Sequence, residues 1–487
     1  MQFTFATRCL AAAALLGGIP TSAQTAAPGW AQLARTDAEA ALRLIDDNHP
    51  GAVPALADRN FLDRLTKARA QVEARLPQVS SYEGYSMLML GLANSFGDGH
   101  IWSSALLQQR LRNWAGLVLA RRGGKWIIGA QDRADGDPDL NGARLLACDG
   151  TAAEALARER IGGFFANADN EAAMANNAYQ FFIGSDAPFY PRLKSCRFET
   201  NDGRTMDVEL HWRAISPAQI QPFINRALRP GRSGMGISDF AGGKWIALQT
   251  LGTEAEPVVA EVERRQAELR AAPMVVLDLR GNGGGNSDYP RRIAEALVGR
   301  SRVNAAYGPP DGCNGSYWRA SPDNLRTLVA ARDAHKGEPE TAAYYQRFID
   351  DMQVALEKGR PFAPELPACA TRAAIGHPMP AKLPPTQMAG KLVIVTDRAC
   401  FSSCLIGVDL FRRVGALHVG EVTDRSTRYM EVREITLPSG LRTFSVLQKL
   451  SLGSGDFGPY KPEIDYPGFM DDDDGLRAWV AQVVRQR

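Results

Sequence analysis

Residues 391–423 read KLVIVTDRACFSSCLIGVDLFRRVGALHVGEVT. The run Leu392-Val393-Ile394-Val395 is short, β-branched and apolar throughout, as a strand buried on both faces requires. Leu405 to Val414 carries enough apolar positions for a packed helix, and a second short apolar run follows. Between strand and helix stands Cys400-Phe401-Ser402-Ser403. A serine at the first turn of such a helix lies beside free backbone N–H groups and the positive end of the helix dipole. That position suits a nucleophilic hydroxyl, and it equally suits an ordinary N-cap serine.

A second stretch, Pro273 to Asn286 (PMVVLDLRGNGGGN), bears on that choice. Another buried strand, Met274 to Leu279, runs into a loop with Gly281, Gly283, Gly284 and Gly285. Glycines at this density mark a close backbone approach or positive φ. A phosphate cradle is one use, but no Gly-Lys-Ser/Thr follows, and Asn286 stands where a dinucleotide motif needs its last glycine. The other use is an oxyanion hole, in which one donor contributes about 2.7 to 4 kcal/mol.

Taken together, Asp278-Leu-Arg-Gly-Asn-Gly-Gly-Gly285, Phe401-Ser402-Ser403 and Val419-Gly-Glu-Val-Thr423 resemble the motifs of the S41 peptidases. These are the C-terminal processing proteases and their tricorn-like relatives. The resemblance implies an α/β fold: a crotonase-like catalytic core, with a PDZ-like β module inserted ahead of it. It implies Ser402 as nucleophile, with amides of Gly283, Gly284, Gly285 and Ser403 as oxyanion donors. In the serine/lysine version of the family a lysine follows the Gly-Glu-x-Thr element by three residues; here that place holds Ser426. The histidine version takes its base from an N-terminal helical region. This chain offers His100 in Ser95-Phe-Gly-Asp-Gly-His-Ile101: the local sequence alone reads as a turn residue, and the resemblance makes His100 the general base. For the acidic third member the resemblance points to Glu463, in Tyr460-Lys-Pro-Glu-Ile-Asp465, with Asp465 beside it. Asp98 reads as a residue that fixes the His100 turn.

Outward from these motifs, the first 23 residues read as an export signal: Arg8 is their only charge, Leu10 to Ile19 is a short apolar run, and Thr21-Ser22-Ala23 offers a cleavage site. A secreted or periplasmic protein is expected, with no membrane-spanning segment after signal removal. Residues 30–110 have helical spacing in three segments that deliver His100 to a boundary. Residues 112–215 turn to short strands, and Gly142-Ala-Arg-Leu-Leu-Ala-Cys-Asp-Gly150 resembles an element of PDZ domains. In such a domain Gly116, Leu117 and Val118 would hold a peptide carboxylate; a module that merely spaces the site is the alternative. Residues 230–487 form the catalytic region, with a proline-rich insertion at 300–385 that reads as a lid or a solvated excursion.

The 487 residues carry 56 Lys and Arg against 54 Asp and Glu, a net charge of +2 without a long basic block, which gives nucleic acid no footprint. Six cysteines remain after Cys9 of the leader. Cys148 with Cys196, and Cys313 with Cys369, fall within one predicted module each; Cys400 and Cys404 flank Ser402 with their pairing open. No paired CxxC or adjacent histidine suggests zinc, so no metal is expected. Asp471 to Asp474 suit either calcium or the N-terminus of the helix that follows. The expectation is an exported serine endopeptidase acting on polypeptides without a cofactor. A non-catalytic peptide-binding protein on the same fold is the rival, and an esterase the third reading.

Overall fold

The computed structural model describes residues 29–106, 111–228, 234–307, 313, 315–371, 379–452 and 456–486. The proposed leader at 1–23 lies outside the described residues, as does His377 of the insertion. The protein is a mixed α/β structure with several sheets.

At its centre a six-stranded sheet runs Gly236–Phe240, Gly243–Ala247, Met274–Asp278, Lys391–Thr396, Leu417–Gly420 and Ile464–Asp465 in spatial order. The first pair is antiparallel and the remaining pairs are parallel. Strand alternation explains the unbroken apolar runs. Val275, Leu277 and Ile394 pack with Val259, Ile293, Leu297, Val408 and Phe411 of the helices on one face. Val276, Val393 and Val395 pack on the other face with Leu476, Val480 and Val484 of the helix Asp473–Gln486. Asp278 is level with Val395, and Thr396 with Gly420, so three strands end at one edge. The loops that leave this edge carry the glycine run, the Ser402 turn and the Glu421–Thr427 segment. In parallel α/β sheets that edge is where ligands bind.

Three helices, Trp30–Asn48, Arg59–Arg75 and Tyr82–Asn94, occupy the N-terminal part. They share one core with a four-stranded sheet of Phe362–Ala363, Gly315–Arg319, Thr443–Leu452 and Tyr429–Thr436. The insertion therefore does more than cover a cleft. Its strand Gly315–Arg319 pairs with Thr443–Leu452, and Tyr317 and Phe362 are buried against the N-terminal helices. The reading of it as a lid or loose excursion gives way to a built-in part of this second sheet.

Between these parts, strands Leu117–Arg122, Lys125–Gln131, Arg144–Cys148, Ser195–Glu199 and Thr205–Glu209 form an antiparallel sheet with its own core. Cys148 and Cys196 are register partners and are disulfide-bonded. Cys313–Cys369 and Cys400–Cys404 form the other two bridges. No helix among the described residues is long and apolar enough to cross a membrane.

Candidate active site

Ser402 caps the helix Ser403–Arg413 with φ 55° and ψ −125°. L-residues seldom adopt this region, and holding one there costs about 1 to 3 kcal/mol. The surroundings impose it. Phe401 N donates to Asn282 O at 3.1 Å, Cys404 N to Phe401 O at 3.1 Å, and Leu405 N to Ser402 O at 2.9 Å. The Cys400–Cys404 disulfide closes the turn, and both cysteines are fully buried. Ser402 Oγ itself has no hydrogen bond among the described residues, so its lone pairs and proton are uncommitted.

The glycine loop lies against this turn. A Cβ on Gly284, which has φ 102°, would fall 2.8 Å from Ser402 Cβ and 2.9 Å from both Phe401 O and Ser403 N. Only glycine permits that approach. The loop is anchored from below: Gly281 N donates to both Asp397 oxygens at 3.1 and 3.0 Å, and Asn282 Nδ2 donates to Leu248 O at 2.8 Å. Arg280 and Asp278, both about fully buried, pair at 2.6 Å, and Arg280 reaches Asp473 at 2.7 Å. Asp473 thus serves both the start of its helix and the glycine loop. Burial raises the Asp397 carboxyl to about 6, against the pull of its backbone donors.

Of the four amides expected to act as oxyanion donors, the structure separates one. Gly284 N donates to Asn282 Oδ1 at 2.9 Å and is committed. The amides of Gly283, Gly285 and Ser403 have no partner among the described residues. Gly285 is turned toward Leu251, where its Cβ would meet a carbonyl oxygen at 2.1 Å, and its own carbonyl accepts from Ser403 Oγ at 2.7 Å. Gly283 lines a cavity of about 490 Å³ together with Phe401. Gly283 N and Ser403 N are therefore the pair whose surroundings suit an oxyanion.

His100 reaches this turn from the N-terminal helices. Its ring lies against that of Phe401, the residue that precedes Ser402, with centroids 4.4 Å apart, and no hydrogen bond joins it to Ser402 Oγ among the described residues. The turn after Tyr82–Asn94 makes the approach possible, since a Cβ on Gly99 would lie 2.9 Å from the Phe401 ring. Asp98 Oδ1 accepts from the His100 backbone N at 2.9 Å and stands 2.9 Å from His100 Nδ1. A carboxylate only accepts, so Nδ1 carries a proton, and in the neutral ring this makes Nε2 the nitrogen with the free lone pair. The other Asp98 oxygen accepts from Thr427 Oγ1. Burial pushes the Asp98 carboxyl upward, but hydrogen bonds from His100 and Thr427 outweigh it and hold the group below the usual range. Asp424 nearby is raised to about 6, chiefly by burial.

The carboxylate on the histidine is thus that of Asp98, where the sequence pointed to Glu463. Glu463 is placed at the sheet edge, where its N donates to His418 O at 2.8 Å and its Oε1 faces His418 N at 3.4 Å. Asp98 passed as a turn former because residues two apart seldom face each other. Here one oxygen holds both the backbone and the ring of His100. An Asp-Gly-His sequence permits this arrangement, but no spacing rule singles it out.

The segment Gly116-Leu117-Val118 opens an outermost strand of its sheet. Leu117 and Val118 are 3% and 0% exposed, Leu117 O accepts the Trp114 indole at 2.8 Å, and Gly116 O accepts Asp132 N at 2.8 Å. Gly116 and Leu117 line a cavity of about 710 Å³ that none of Ser402, His100 and the glycine loop borders. His418, buried, bonds Thr396 Oγ1 at 2.8 Å and belongs to the core.

No family model matches the chain, and no curated protein matches it. Among solved structures, mature CPAF superposes with a TM-score of 0.60 at 12% identity, over 94% of this chain and 98% of that one. CPAF complexed with lactacystin gives 0.59 at 13% identity, over 94% and 99%. The chain has the fold of mature CPAF. The tricorn protease aligns over 93% of this chain and 37% of its own at 11% identity, with a TM-score of 0.36, too loosely to bear on the fold or the site. At such identities the likeness to CPAF establishes the fold alone, and the chemistry rests on the side chains described above.

The disulfide around Ser402 gives an expected outcome of its own. Changing Cys400 and Cys404 together to serine releases the turn that holds Ser402 at φ 55°. A displacement of about 1 Å in a reacting group costs about 10²-fold in rate. The double variant is expected to lose about that much while the central sheet stays folded, read by hydrolysis rate beside circular dichroism. Full activity would show that backbone bonds alone hold the turn.

Proposed function

We propose that the protein is an exported serine endopeptidase of S41 type that hydrolyses polypeptides. One observation carries the reading: Ser402 stands in a strained turn with an uncommitted hydroxyl and two unpaired amides in its surroundings, and the ring of the preceding Phe401 packs against a histidine whose Nδ1 is held by a buried carboxylate. In this reading Ser402 Oγ attacks the scissile carbonyl while His100 Nε2 takes its proton. Gly283 N and Ser403 N receive the negative charge on the tetrahedral oxygen. His100 then protonates the leaving amine, and water, activated by the same nitrogen, releases the acyl group from Ser402. Asp98 orients the imidazole and stabilises it when charged, with Thr427 fixing Asp98. Glu463 has no part in these steps, and no cofactor enters them.

The central sheet serves as the crotonase-like core of this reading, and residues 112–215 as its PDZ-like module. The module acts as a wall of the cleft, since its residues Phe165, Asn170 and Gln180 line the cavity that Gly283 and Phe401 border. Three disulfides support export to an oxidising compartment.

The test is covalent labelling. A fluorophosphonate probe is expected to modify Ser402, located by peptide mapping, and to block hydrolysis of casein by the mature chain. Absence of both labelling and hydrolysis would remove the enzyme reading, and labelling at another serine would remove Ser402 from it.

A further inference from the structure

We propose that the extended segment Trp102–Ala105 is the strand onto which a polypeptide substrate adds, and that the protein therefore selects its substrates by main chain. This rests on the reading of Ser402 as nucleophile. The segment leaves His100 and joins the hairpin strand Thr443–Leu452 along one side only. Thr443 N donates to Ser104 O at 2.8 Å, Ser445 N to Trp102 O at 3.0 Å, and Leu106 N to Leu441 O at 3.0 Å. Ala105 and Arg442 form an antiparallel bridge. Residues 102, 104 and 106 are thus turned to the hairpin, and strand geometry turns 103 and 105 the other way.

On that outer side three backbone groups are unused. Ser103 N, Ala105 N and Ala105 O have no hydrogen bond among the described residues, although Ser103 is only 5% exposed. A shielded N–H without an acceptor is costly and uncommon in a folded chain. Ser103 O is already taken by Arg442 Nη2 at 2.6 Å, which also holds the segment rigid. The remaining groups, donor, donor and acceptor, form the pattern that an added strand completes.

The space beside this edge consists of two adjoining cavities. Ile101, Trp102 and Ser103 line one of about 490 Å³, together with Gly283 and Phe401 of the candidate site. Ser103, Ser104 and Ala105 line a second of about 630 Å³. Ser103 borders both, as do Phe165 and Gln180, which supply wall from the β module. At about 3.3 Å per residue, the edge from Ile101 to Ala105 accommodates four to five substrate residues in extended form. The facing wall comes from the β module, which gives that module a part in binding different from carboxylate capture. Backbone pairing tolerates many sequences but demands an unfolded segment, so folded proteins without such a segment are poor substrates.

A scan of the substrate backbone tests this on the unaltered protein. Fluorogenic peptides of eight residues, cleaved at one known bond, are compared with copies N-methylated at one amide at a time. The expected result is alternation: kcat/KM falls about tenfold where the lost N–H faced Ala105 O, and much less at the neighbouring amides. Ala105→Pro, which removes an outward N–H, is expected to raise KM for these peptides about tenfold at an unchanged melting temperature. A scan without alternation, in a protein that cuts the parent peptide and is labelled at Ser402, overturns the strand-addition proposal alone. A protein neither labelled nor active overturns the reading of Ser402 and this proposal with it.

Discussion

Ser402→Ala is expected to lower casein hydrolysis by at least about 10⁴-fold, to the level left by amides and binding alone. The expectation follows from how such sites behave when the attacking group is removed: losses reach about 10⁶-fold in kcat, and residual rates come from the oxyanion donors. Here the loss should be clean, because Ser402 Oγ holds up no part of the structure. Its backbone makes the comparison sharper. Alanine at φ 55° carries the same strain as serine, whereas glycine does not. Ser402→Gly should therefore be as inactive as Ser402→Ala yet more stable by about 1 kcal/mol. Thermal unfolding of the two, run beside casein hydrolysis, separates the chemical role of the hydroxyl from the cost of its presentation. Activity retained in Ser402→Ala would place the nucleophile elsewhere.

Asp98→Asn should cost about 10³- to 10⁴-fold in kcat and change KM little. The carboxylate does two things at 2.9 Å from His100: it fixes which ring nitrogen carries the proton, and it offsets the charge the ring acquires on taking a second one. An asparagine keeps the size and one acceptor, so the turn survives through the His100 N–H while the charge is lost. Glu463→Gln is expected to stay within threefold or so of the wild-type rate, because its carboxylate faces the backbone of His418. Kinetics of the two variants on one peptide decide between the carboxylates. The reverse ranking would return Glu463 to the site and reduce Asp98 to a turn former.

The legible parts of this chain were those in which local chemistry and fold agree. The strands Met274–Asp278 and Lys391–Thr396 are buried on both faces, which forces unbroken apolar runs, and these stand out in any reading. The glycine loop is legible for a related reason: Gly284 has no room for a side chain beside Ser402. Asp98 was the harder case. Its role depends on a χ angle and on Thr427, 329 residues away, and neither leaves a trace in spacing. The same holds for Leu117 and Val118. Their side chains are buried in the core of their sheet, in contacts with residues far along the chain that no spacing predicts. The insertion at 300–385 looked peripheral because its composition is polar and rich in proline. Its two strands, Gly315–Arg319 and Phe362–Ala363, tie it to a sheet completed by Thr443–Leu452, more than a hundred residues after the first of them.

That sheet has a bearing on when the molecule can become competent. The loop bearing His100 is held by Ser445 Oγ on its carbonyl at 2.9 Å, by Ser445 on Trp102 at 2.7 Å, and by Thr427 through Asp98. Its shape is thus dictated by residues made more than three hundred positions later. A nascent chain that has already displayed His100 and the glycine loop still lacks the hairpin that aims the histidine. Contacts this distant in sequence form late in folding. On the proposed reading, such a molecule would stay inert while it is being made and would gain its cutting power only when nearly the whole polypeptide is present. The delay is written into the order of the chain.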